Sequence, residues 1–196
     1  GDEAEPERRQ RRDVEAGAVE APAERKRRDD GVVVYVNGTE AFRMNMPGGP
    51  ITYTTLASGT VGGSDESTYF QEITANLLQN GTNVIAVELH QATLDSSDLN
   101  FDMAVSTSVV LPPLEPTPYP VTKDSRWKYL DNGTSLDAEN WTELLYDNAT
   151  WANGHGTLGY GDPVNTVISY GPNSNNKYIT YYFSKDIEVD LANTAD

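Results

Sequence analysis

The side chains of this chain that could do chemistry carry oxygen far more often than nitrogen, and never a thiol. Without cysteine there is no disulfide framework, thiolate zinc site or cysteine nucleophile. The two histidines, His90 and His155, do not share a metal-binding spacing such as His-Glu-x-x-His. No Gly-x-Ser-x-Gly elbow, phosphate loop or dinucleotide fingerprint occurs. Glu88 with Asp98 or Asp102 is the carboxylate pair to weigh for glycoside hydrolysis. A chain with 30 acidic residues offers such a pair by chance, so the expectation is a protein that is not an enzyme.

Cation binding is the better use of the acids. Asp29 and Asp30 precede a hairpin, Asp98 precedes a strand, Asp131 and Asp147 lie in turns, and Asp162 follows a Gly-Tyr-Gly turn. Carboxylates beside turn carbonyls suit the high oxygen coordination of Ca2+, so a structural calcium site is expected among these six. Each also reads as an ordinary turn-capping acid.

Two kinds of modification signal stand beside them. Asn37, Asn80, Asn132, Asn140 and Asn148 each head an Asn-x-Ser/Thr sequon. Arg8-Arg9-Gln10-Arg11-Arg12 and Arg25-Lys26-Arg27-Arg28 resemble the cleavage sites of furin-like secretory proteases, which would cut after Arg12 and Arg28. Together they point to a secreted, extracellular glycoprotein carrying N-glycans.

Residues 1–28 hold eight basic and eight acidic groups without apolar periodicity, and read as a charged, flexible arm. All of the net charge of −16 therefore belongs to residues 29–196, where six basic groups face 22 acidic ones. Such a surface repels phosphate backbones and anionic lipid, so neither nucleic acid nor membrane is an expected partner.

From Asp29 the texture is that of strands. Val32 to Val36 and Thr39 to Met44 flank Asn37-Gly38, the pair that most readily makes a type I′ hairpin turn. Tyr69 to Thr74 reads as a short strand, Asn83 to Leu89 as a longer one, and Leu99, Phe101, Met103 and Val105 share one face of another. Five of the eleven prolines fall within residues 106–120, marking a linker drawn at 111–123. Beyond it Trp127, Trp141 and Trp151 punctuate a turn-rich stretch as core anchors, and Tyr178 to Leu191 is a long strand or a pair bent near Lys185-Asp186.

Two stretches carry a family resemblance. Asp29-Asp30-Gly31 leading into the Asn37-Gly38 turn, then Asn83 to Gln91, then Ser97 to Asp102, resembles the second half of a galactose-binding-like jelly roll. Modules of this kind accompany secreted phosphoesterases and glycoside hydrolases. Trp127 to Gly133, Tyr146 to Trp151, Leu158 to Asp162 and Tyr178 to Phe183 resemble the first half of the same domain. The resemblance implies an all-β jelly-roll sandwich with a late half at 29–110 and an early half at 124–196, in swapped order. In the family an apolar strand stands just before Asp29, where this chain has Glu24 to Arg28. Either that strand is supplied from elsewhere or the arm does not belong to the fold.

Each half alone would leave an open sheet edge and an uncovered apolar face. The halves close on each other within one chain, as in a circular permutant, or between adjacent subunits, as a head-to-tail homopolymer. A tandem-repeat protein cut between repeats would show the same order. The expected function is that of an extracellular structural protein assembling into a filament; the alternative is a non-catalytic carbohydrate-binding accessory module.

Overall fold

The computed structural model describes residues 27–61, 75–105 and 121–189. Among them, helix is confined to a single 3₁₀ turn, Ala75–Leu77, and the rest of the regular structure is strand. The strands are β1 (Arg27–Arg28), β2 (Gly31–Val36), β3 (Thr39–Met44), β4 (Gly81–His90) and β5 (Leu99–Asp102), then β6 (Arg126–Leu130), β7 (Ala152–His155), β8 (Leu158–Tyr160), β9 (Thr166–Val167) and β10 (Thr180–Val189). They form a six-stranded sheet in the order β3-β2-β4-β10-β6-β7 and a four-stranded sheet in the order β1-β5-β8-β9. All pairings are antiparallel except β8 with β9. The chain is therefore all-β, with two sheets packed as a sandwich.

Period-two alternation builds the core. Val32, Val34, Ile85, Val87, Leu89, Tyr181 and Phe183 of the large sheet meet Leu99, Phe101, Leu158 and Tyr160 of the small one. Phe101 is held between Phe183, stacked at 4.3 Å between centroids, and Trp127, edge-on at 5.1 Å. The outer face of the large sheet is covered by the loop between β6 and β7, which brings Leu136, Trp141 and Trp151 onto Ala86 and Tyr182. All three tryptophans are buried, as core anchors should be.

The hairpin forms as its turn chemistry requires: Asn37 and Gly38 both have positive φ, 48° and 83°. The register shifts between Val34 and Tyr35, so that Val34 opposes Phe42 while Tyr35 opposes Glu40. The expected strand at Tyr69 to Thr74 lies outside the described residues.

Two boundaries differ from expectation. Arg27 and Arg28, assigned to a free arm, pair with Asp102 and Phe101 as edge strand β1. Ladder bonding uses main-chain groups, so a strand of basic residues can occupy a sheet edge that side-chain patterning would not nominate. Val121, placed in the linker, is fully buried and bridges to Val105. Of the two readings of Tyr178 to Leu191, the long strand holds: β10 runs in unbroken register with β4 from Thr180 opposite His90 to Val189 opposite Gly81. Only the β6 pairing stops short of Lys185-Asp186, ending at Ser184.

Candidate functional site

The longest ladder in the fold is also the seam between the two parts of the sequence. β4 lies before the proline-rich stretch and β10 after it, and they pair over ten residues. In the second sheet β5 and β8 do the same through Leu99 to Phe101. At the centre of both sheets, strands from one side of residues 106–120 therefore stand beside strands from the other.

The outer face of this seam carries a buried polar chain. The Tyr35 hydroxyl donates to Glu88 Oε1 at 2.6 Å, and Glu88 Oε2 lies 3.3 Å from His90 Nε2. Nδ1 of His90 sits 2.7 Å from the Thr55 carbonyl, which accepts only, so Nδ1 carries the hydrogen. Thr180 on β10 adds its hydroxyl, 3.0 Å from the same Nδ1 and donating to the Tyr53 carbonyl at 2.6 Å. Glu88, His90 and Thr180 are each at most 5 % exposed. Burial, and next the Glu88 charge, push the Tyr35 hydroxyl far above the usual tyrosine range. Burial likewise pushes Tyr181 up to about 12. The Tyr35 phenol stays protonated and donates to Glu88, while the Tyr181 hydroxyl lies 3.4 Å from that of Tyr160. With Tyr35 donating to Glu88, and His90 Nδ1 meeting Thr180 and the Thr55 carbonyl, the arrangement ties β2, β4 and β10 together in register.

Comparison with protein-family models, curated proteins and solved structures finds no match. The reading of the site therefore rests on its own geometry.

Among the described residues no three His, Asp or Glu side chains, the six acids expected to bind calcium included, converge as a metal group. Asp30 is buried and brackets two loops, its Oδ1 accepting from the Val61 amide at 2.8 Å and Oδ2 from the Ala92 amide at 2.6 Å. Asp29 is buried beside it, its amide donating to the Asn100 carbonyl. Asp98 accepts from Ser97, Asp131 from the Ser169 amide, Asp147 from the Ala149 amide, and Asp162 from Asn100. For Asp147 this is the local turn contact that competes with metal binding in any reading of a loop aspartate. The proposed hydrolytic pairing does not form: Glu88 faces Tyr35 on the large sheet, whereas Asp98 and Asp102 belong to the β5 region of the small one.

The sequon asparagines differ in their engagement. Asn80, Asn132 and Asn140 are exposed. Asn37 is not available in the same sense: its Nδ2 donates to Leu77 O and Asn83 Oδ1, and its Oδ1 accepts from the Val84 amide. A glycan on that nitrogen would cost at least one of these bonds. Asn148 is half-buried, donating to Ser184 Oγ. Of the two processing positions, Arg28 ends β1 and Arg12 lies outside the described residues.

Asp102 is the residue that sequence reasoning undervalued, weighed only as half of a hydrolytic pair. Alternation along β5 turns it away from the core that Leu99 and Phe101 fill, yet it is only 2 % exposed. Residues 124 and 156, distant in sequence, close over it. No local pattern announces a burial of that kind.

Proposed function

We propose that this chain is a non-catalytic extracellular structural protein, a galactose-binding-like jelly roll in permuted order whose halves join head-to-tail between successive chains into a filament. The observation that carries the reading is the β4–β10 ladder, ten residue pairs joining segments on opposite sides of the proline-rich stretch. Removing either segment would leave the other with an open central edge and one wall of the main core missing. Complementation between copies would restore the same main-chain bonds and the same Phe101–Phe183 contact. N-glycans at the exposed asparagines would shield such a polymer laterally.

Size-exclusion chromatography and negative-stain microscopy of the full chain at micromolar concentration test the assignment. Linear particles that grow with concentration are expected; a compact monomer at every concentration overturns it. The accessory-module alternative would show instead as glycan binding by that monomer.

A further inference from the structure

Apart from the seam, Asp102 is the buried acid among the described residues whose surroundings ask for an explanation. Asp102 is almost wholly buried, and its carboxylate oxygens make no hydrogen bond of good geometry, although the main-chain amides of Asp124 and Met103 face them. Burial pushes its pKa up to about 6, and the nearby Asp124 carboxylate pushes the same way; the Asp124 and Met103 amides and Lys123 oppose this without cancelling it. A buried carboxylate left this way is costly, and proteins pair such groups with a cation or a donor.

The segments that close over it carry main-chain and carboxylate oxygens. A Cβ at Gly156 would stand 2.4 Å from Asp102 Oδ1 and 3.6 Å from the Asp124 Cα, so the bare main chain of Gly156 separates the two acids. Asp124 has a left-handed φ of 63°, and its side chain is 51 % exposed, so the recess opens to solvent on that side. The Asp124 carbonyl accepts from His155 Nδ1 at 3.1 Å and its Oδ1 from Asn165 Nδ2 at 3.2 Å. The Ser125 carbonyl accepts from the Gly156 amide, and the Gly156 carbonyl from Asn165. Each of these oxygens keeps a second lone pair.

We propose that Asp102 and Asp124, with the main-chain carbonyls of Asp124, Ser125 and Gly156, bind a hard divalent cation of the calcium type. Two carboxylates with carbonyls and solvent suit calcium, whereas the absence of a converging His cluster among the described residues argues against a zinc-like ion. A chain of net charge −16 further favours cation uptake. This site shares no residue with the six acids of the sequence expectation and does not depend on filament assembly. The competing counter-charge is Lys123, whose Nζ lies 3.8 Å from Asp124 Oδ2.

Calorimetric melting of the calcium-stripped full chain at neutral pH, with and without CaCl2, decides between them. At a concentration 100-fold above Kd, calcium is expected to raise Tm by about 5 °C or more. Asp102→Asn and Asp124→Asn should each lose most of that rise, while Asp147→Asn keeps it. Asp124→Asn alters a half-exposed side chain, so it keeps the test valid if Asp102→Asn fails to fold. A rise retained in Asp124→Asn overturns the site, as does the absence of any calcium effect in the parent protein.

Discussion

Tyr35 touches both the polar and the aromatic layers of the seam, donating to Glu88 while its ring meets Trp141 edge-on at 5.7 Å. Tyr35→Phe keeps the ring and strands the carboxylate, so unfolding in denaturant should reveal a loss of about 1.5–3 kcal/mol, the range for a hydrogen bond to a charged group. Trp141 also packs on Tyr182 at 4.8 Å and caps the outer face of the large sheet. Trp141→Ala should cost about 3–5 kcal/mol. Asp102 sets a pH dependence whose sign can be worked out. Its pKa in the fold is about 6 against 3.8 for the free side chain, so the folded state takes up the proton first as pH falls. Its contribution is therefore fully present below the unfolded value and lost as pH rises through about 6. In calcium-free buffer Asp102→Asn should remove that component, at most about 3 kcal/mol, from a stability profile measured between pH 4 and 7.

At the scale of elements, the two seams differ in what they tolerate. β4 and β10 pair through ten residues with long side chains on both faces, so single truncations weaken the seam without abolishing it. The β5–β8 seam is short and allows no side chain at Gly159, where a Cβ would lie 1.8 Å from the Leu99 carbonyl oxygen. That neighbour is main chain and cannot rotate away. Gly159→Ala is expected to separate β8 from β5, seen as early amide exchange of Leu99 to Phe101 while the β2–β3 hairpin stays protected. The hairpin was legible because its turn pair and alternating flanks are local properties. The edge role of Arg27 and Arg28 was not, because a sheet edge recruits main-chain groups without regard to side-chain hydropathy.

For the whole molecule, the interleaving of early and late strands in both sheets makes folding strongly non-local. Segments 29–105 and 121–189, expressed separately, should each lack a cooperative melting transition, and mixing them should restore one. A cooperative transition in either alone would show that the seam is not required for closure. The large excess of acid over base in residues 29–196 adds self-repulsion, so added salt should stabilise the folded chain.

Composition, turn residues and strand alternation were enough by themselves to determine that this is an all-β protein, where its hairpin turns, and that Leu99, Phe101 and Met103 face a core with the tryptophans as anchors. These are consequences of backbone preferences and side-chain periodicity, which act over a few residues. Tertiary structure alone decided that β10 lies against β4, which partner each candidate acid meets, and that Asp102 is buried beneath Asp124 and Gly156. Those outcomes depend on which distant segments meet, a matter settled by the packing of two complete sheets rather than by any window of the chain.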